Sequence, residues 1–242
     1  MSVPDSRVQR AYRVRISLFL LAVGLLLVVW VVGSQALQTL KVLDVIERER
    51  DRWQRPGPVV EALNLKDGSI VADIGSGAGY FTLKLAPIVG DKGRVIAEDI
   101  LREPLAFLWI RALLRHRRNI RVIHGEPDNP HLPEGQLDAV LVANTYHEFT
   151  HPRTILNRAL QALHPGGRLV IVDRGPLPDE EESREAEGQH HERDPSEVEV
   201  ELRETGFALI TRNDRLIERA APERPGDRLD NHIWWLIVAR KP

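Results

Sequence analysis

Polar and apolar positions divide the chain into two regimes. From residue 16 to residue 40 no side chain is charged, and 16–32 (ISLFLLAVGLLLVVWVV) is almost wholly aliphatic. A helix over those 25 uncharged positions rises about 37 Å, more than the roughly 30 Å of hydrocarbon in a bilayer. A surface helix of a soluble protein keeps a polar face, and this run has none. The pattern predicts a basic segment over 1–15 and a single transmembrane helix over 16–36, with Trp30 near one interface. Helical apolar spacing continues at Leu40, Leu43 and Ile46 before charge takes over. Residues 37–57 therefore read as a juxtamembrane helix and linker, closed by Arg55-Pro56-Gly57-Pro58. A second reading is a cleaved export signal, since Ser34-Gln35-Ala36 has the small-x-small form of a cleavage site. Arg7, Arg10, Arg13 and Arg15 precede the span and Lys41, Arg48, Arg50, Arg52 and Arg55 follow it, so the positive-inside rule selects no orientation.

From residue 58 to residue 242 short aliphatic runs alternate with amphipathic segments, the signature of a parallel sheet covered by helices on both faces. Strands are predicted at 69–74, 94–99, 121–124, 137–143 and 168–173, and helices at 79–88, 103–117 and 152–163. His164-Pro165-Gly166-Gly167 stops the last of these. The acidic stretch 179–187 reads as a solvated loop. Asp194-Pro195-Ser196-Glu197 is a helix cap with a first-turn proline, opening a helix that runs to Gly206. Strands at 207–212 and 233–240 close the chain. The expected fold is α/β: a Rossmann-like, seven-stranded, mostly parallel sheet with an antiparallel C-terminal hairpin. In the helix over 103–117, Leu105, Leu108, Trp109 and Ala112 are expected to pack on the sheet. Its basic end suits the helix dipole, and contact with anionic lipid heads is its second reading.

Composition narrows the chemistry. The chain has no cysteine, which excludes a disulfide scaffold, thiolate-held metals and thiol nucleophiles. Residues 1–55 carry a net +4 and residues 56–242 a net −6. An acidic main body argues against nucleic acid as a partner.

The most informative segment is Ile70-Val71-Ala72-Asp73-Ile74-Gly75-Ser76-Gly77-Ala78-Gly79-Tyr80. A buried strand enters three glycines at alternate positions and then a helix, so backbone N–H groups can approach a ligand with no Cβ between. A dinucleotide loop, G-x-G-x-x-G, would need glycine at position 80, where this chain has Tyr80. Asp99, twenty residues past Gly79, closes the next strand, where a carboxylate can accept both hydrogen bonds of a ribose diol. Ile100 is placed to pack on an adenine face, and Glu98 points to the other side of the strand.

VADIGSGAGYFTLKLA resembles the first motif of class I S-adenosylmethionine-dependent methyltransferases, and RVIAEDI resembles their second. GEPDNPHLPEGQLDAVLVANTYHEF is similar to their G-D-A-x-x-L-P segment, and ALHPGGRLVIVD to the turn before their fifth strand. The resemblance spans about residues 58–175 and implies a type 11-like methyltransferase domain behind an N-terminal transmembrane anchor. It implies S-adenosyl-L-methionine as cofactor, with Asp73, Gly75, Gly77 and Gly79 lining its methionine end and Asp99 holding the ribose. Glu126 stands where the family has an Asp that accepts from the adenine amino group. Asn144 would sit near the sulfonium.

Tyr146 and His147, the candidate catalytic and substrate-pocket residues, follow the fourth strand at its carboxyl end, where open α/β sheets bind ligands. His147 is the candidate base, with Glu148 orienting its ring; packing or capping the next helix is the competing reading. His190 and His191 belong to a polar lid. Grouping them with His147 around a metal is disfavoured, because adjacent histidines rarely ligate one ion, so no metal is expected. The expected activity is in-line methyl transfer to a small-molecule or lipid-like acceptor, on a membrane-anchored, single-pass protein whose domain faces the cytoplasm. Alternatives are a nicotinamide-dependent oxidoreductase and a non-catalytic, membrane-tethered cofactor-binding module.

Overall fold

The computed structural model describes residues 6–175, 193–217 and 233–242. The acidic stretch 179–187 and the lid histidines His190 and His191 lie outside the described residues. Contacts divide the chain into two compact units, 1–49 and 50–242.

The described part of the first unit is helical and belongs to α1 (Ser6–Gln54), whose last residues, 50–54, are counted in the second unit. By length and composition the stretch from Arg15 to Asp51 can cross a membrane, and none of its most apolar window is buried.

The second unit is built on a seven-stranded sheet in the order β3-β2-β1-β4-β5-β7-β6. Its strands are β1 (Ile70–Ile74), β2 (Arg94–Asp99), β3 (Ile120–His124), β4 (Leu137–Ala143), β5 (Leu163–Arg174), β6 (Ala208–Ile217) and β7 (Trp234–Arg240). The first five are parallel and β7 runs antiparallel to β5 and β6. This is the Rossmann-like sheet with a closing antiparallel pair that the periodicity predicts. Strands buried on both faces need unbroken aliphatic runs, and Val71-Ala72 and Leu169–Val172 supply them, with no side chain more than 1% exposed.

Alternation along these strands builds two cores. Ala72, Ile74, Val140 and Val142 face α5 (Pro152–Ala162) and α6 (Pro195–Thr205). Val71, Ala139 and Leu141 face α2 (Pro56–Ala62) and α3 (Thr82–Val89). Helix α4 (Arg102–Leu114) covers β2 and β3 through Leu108, which packs with Ala97. The cap of α6 is as expected: the Asp194 side chain accepts from Ser196 N at 2.6 Å, and Gly206 ends the helix at φ 100°.

Three features depart from the sequence-based expectation. Pro56 opens the short helix α2 instead of ending a linker, because Arg55 turns the chain at φ 48° and proline suits a first helical position. Strand β5 begins at Leu163, so the turn at Pro165-Gly166-Gly167 is absorbed as a register shift against β4 between Leu137 and Ala139. Trp109 does not pack with Leu105, Leu108 and Ala112 but stands exposed, since Leu105, Leu108 and Ala112 already fill the inward face of α4.

Candidate active site

The order of strands reverses between β1 and β4, and at such a switch point the carboxyl ends of the strands leave a crevice. Residues 75–79, 98–100, 144–147 and 173–174 all gather at that end of the sheet.

After β1 the backbone turns through Gly75 (φ 69°), Gly77 (φ 53°) and Gly79 (φ 91°), all left-handed. A Cβ on Gly75 would sit 2.2 Å from Thr145 Cγ2, and one on Gly79 2.3 Å from Leu108 Cδ1. At Gly77 it would meet open space. The turn thus rests on its neighbours at both ends and is open in the middle, where a ligand can approach. The Ser76 hydroxyl is buried there with no partner among the described residues. A cradle of this kind, with a spare donor and acidic side chains around it, fits an adenosyl sulfonium ligand.

Asp73 accepts from Thr82 Oγ1 at 2.6 Å. Burial pushes its carboxyl up to about 6, against the pull of the Thr82 hydroxyl and the Arg50 charge. Asp99 Oδ2 accepts from Gly77 N at 2.8 Å and Oδ1 from Leu101 N at 2.8 Å. Each oxygen keeps a lone pair for a further donor. Ile100, half exposed, follows directly. Glu126 is exposed at the end of a tight turn in which Glu126 N donates to Asn129 O and Asn129 N to Glu126 O, so the Pro127 between them is part of the turn itself. Asn144 is left-handed at φ 56° and its N–H donates to Val172 O.

Glu98 stays at the site, close enough to Asp99 and Asp73 to feel their charge. It reaches the space beside Gly125, where a Cβ would lie 1.8 Å from its Oε1. Burial raises its carboxyl from 4.5 to about 8; Asp99 and Asp73 add to the shift and the Gly75 N–H opposes it. Between pH 4.5 and about 8 the folded chain therefore holds a proton that the unfolded chain has released. Its contribution is complete below 4.5 and lost as pH rises to about 8, so stability falls across that window. The Glu98→Gln variant is expected to flatten that decline in melting temperature; an unchanged slope would show that another group titrates.

His147 lies in the 3-10 turn Tyr146–Glu148. Its Nδ1 is 2.9 Å from Asp173 Oδ1, and its backbone N donates to Asp173 Oδ2 at 3.1 Å. The orienting carboxylate is thus Asp173, at the end of β5 and fully buried. Glu148, to which the sequence reading gave that part, lies 3.7 Å from Nε2. With Nδ1–H donated to Asp173, Nε2 carries the basic lone pair, and Arg174 Nη2 is 3.2 Å from it. Tyr146 turns the other way, fully buried in the α5 and α6 core, where its hydroxyl donates to Glu201. Burial and the Glu201 carboxylate push this phenol up. Both residues are buried: His147 with its Nδ1 on Asp173 and its Nε2 beside Arg174, Tyr146 with its hydroxyl on Glu201.

Sequence reasoning missed Asp173, although it ends the quoted run ALHPGGRLVIVD, one strand over from His147. It also missed the contacts of Tyr80. The Tyr80 hydroxyl donates to Asp51 at 2.7 Å, Lys84 pairs with Asp51 at 2.7 Å, and the Arg50 guanidinium lies 4.1 Å from the ring centroid.

The chain is similar to known proteins in sequence and in fold. Residues 72–171 match a family described as a methyltransferase domain. The ubiquinone/menaquinone biosynthesis C-methyltransferase of Ectopseudomonas mendocina is 30% identical over 122 residues, covering 50% of this chain and 47% of that protein. The chain thus spans about half the length of the curated relatives it matches. Among solved structures, a SAM-dependent methyltransferase from Aquifex aeolicus superposes with a TM-score of 0.62 at 23% identity, covering 77% of this chain and 89% of that one. The [4+2]-cyclase SpnF superposes with a TM-score of 0.63 at 16% identity, covering 78% and 81%. The fold is that of the class I methyltransferases.

Proposed function

We propose that this chain is an S-adenosylmethionine-dependent methyltransferase acting on a small-molecule acceptor. One observation carries the reading: Asp99 Oδ2 is tied to Gly77 N at 2.8 Å, which sets the carboxylate that would hold a ribose directly on the glycine turn. Asp73, Gly75, Gly77 and Gly79 would line the methionine end, Ile100 and Glu126 the adenine, and Asn144 the region of the sulfonium. Bound there, the cofactor supplies a methyl carbon made electrophilic by sulfur. The chain's own work is to orient donor and acceptor and to take up a proton. His147 Nε2 is the proton acceptor and Asp173 its positioning residue. An acceptor hydroxyl reaching Nε2 would displace the Arg174 guanidinium from it, and Nε2 would take up the hydroxyl proton as the acceptor oxygen bonds the methyl carbon and the carbon–sulfur bond breaks. Tyr80 stands where a nicotinamide loop needs glycine, and its packing against Arg50 and Asp51 weighs against that alternative.

A lipid-like acceptor is supported by the uncharged run in α1 and by the quinone-biosynthesis relative. We read α1 as a single membrane span with the domain in the cytoplasm, where the methyl donor is made; protection of the domain from protease in sealed spheroplasts tests this orientation. Calorimetry on the detergent-solubilised chain is expected to show binding of S-adenosylmethionine and none of NAD. Asp99→Ala is expected to weaken that binding about 10²–10⁴-fold, since two hydrogen bonds to a charged acceptor are worth about 1.5–3 kcal/mol each. Binding of NAD, or indifference to Asp99→Ala, would overturn the assignment.

A further inference from the structure

Helix α4 is apolar on both sides. Leu105, Leu108 and Ala112 are buried against the sheet, while Ala106, Trp109, Ile110 and Leu113 stand at i, i+3, i+4 and i+7 on the opposite side. Trp109 is 60% exposed and Leu113 62%, with Leu114 at 60% and Leu101, leading into the helix, at 55%. The outward face of a helix in water is ordinarily polar, and contiguous exposed apolar side chains mark a contact surface.

The charge around this face is one-sided. Between residues 102 and 121 the chain has six arginines and a single acid, Glu103. Arg111 turns inward and donates to the Ala78 carbonyl; the other five, at 102, 115, 117, 118 and 121, are exposed. Two copies of such a face would bring arginines together with only Glu103 to meet them. An anionic bilayer answers every feature at once. Indole favours the headgroup level, leucines gain burial at the acyl boundary, and arginines gain from the negative surface potential. The uncharged run over 16–40 gives the same chain a second affinity for lipid.

We propose that the outward face of α4 docks in the headgroup region of an anionic lipid bilayer, as a membrane contact additional to α1. This goes beyond the methyl-transfer reading and stands without it. The absence of cysteine makes the test clean: the full chain, with Leu113→Cys as its one thiol, carries a nitroxide label in vesicles of phosphatidylcholine and phosphatidylglycerol. Val200→Cys, on the exposed face of α6 (52% exposed), is the reference site, and circular dichroism checks the fold of both. The label at 113 is expected to lose most of its collisions with an aqueous nickel relaxant and to gain collisions with oxygen, while the label at 200 keeps its aqueous signal. The protection should disappear in pure phosphatidylcholine and in the charge-reversed variant R115E/R117E/R118E. A label at 113 that stays aqueous on anionic vesicles would overturn the proposal. So would protection that ignores lipid charge and the arginines, which would mean cover by the chain's own apolar helix. Spin–spin broadening at 113 would assign the face to a second copy instead.

Discussion

Replacing Gly75 by alanine is expected to abolish cofactor binding and to lower the melting temperature by about 4–20 °C, at about 2–4 °C per kcal/mol for a domain of this size. Two costs add. Alanine at φ 69° pays about 1–2 kcal/mol for a left-handed backbone. Its methyl would also lie 2.2 Å from Thr145 Cγ2, and overpacking of that kind costs about 1–3 kcal/mol. Relief of the clash moves either the glycine turn or the segment that carries Asn144 and His147, so both halves of the crevice suffer. The companion change Thr145→Ala should restore part of the stability, which a double-mutant cycle by thermal unfolding would read directly. Gly77→Ala separates the two effects. Its Cβ meets open space, so only the backbone cost of about 1–2 kcal/mol applies, yet the methyl would occupy the place proposed for the ligand. Wild-type affinity in Gly77→Ala would place the cofactor elsewhere.

The second large effect concerns proton uptake. His147→Ala is expected to reduce kcat by about 10²–10⁴-fold, the usual contribution of a positioned base, while the dissociation constant for S-adenosylmethionine stays within about twofold. Asp173→Asn should approach the same loss in kcat, because an amide cannot hold the Nδ1–H tautomer that leaves Nε2 basic. It should also cost stability, since Asp173 accepts from His147 N, His147 Nδ1 and Arg174 N inside the core. Glu148→Gln should change neither value appreciably. The measurement is methyl transfer from labelled donor to a panel of phenol, quinone-precursor and lipid acceptors, alongside cofactor calorimetry. Full activity in His147→Ala would reduce the dyad to a packing element.

How much of this was legible in the sequence depended on the range of the interaction. Strand identities were readable because Val71-Ala72 and Leu169–Val172 must be aliphatic on both faces, a local constraint. The glycine turn was readable for the same reason, and Asp99 lies on it as its spacing implied. The partner of His147 was not, because Asp173 reaches it only once β4 and β5 are aligned side by side, 26 residues apart. Glu148, adjacent in sequence, looked the better candidate for want of that alignment. Trp109 was misplaced because the helical period of α4 permits two apolar faces, and only the packing of Leu105, Leu108 and Ala112 shows which one the sheet has taken. Tyr146 sits beside His147 in sequence, but the 3-10 turn sends consecutive side chains in divergent directions, one to Asp173 and one to Glu201.

The tie between Asp51 and Tyr80 bears on how a water-soluble version should be cut. The proline boundary at 55–58 looks like the natural scissor point, yet trimming there would discard the acceptor of the Tyr80 phenol, the partner of Lys84 and the guanidinium stacked on that ring. The fragment would keep every strand and lose the buttress beside its third glycine. A start a few residues ahead of Arg50 keeps that brace and still sheds the greasy run.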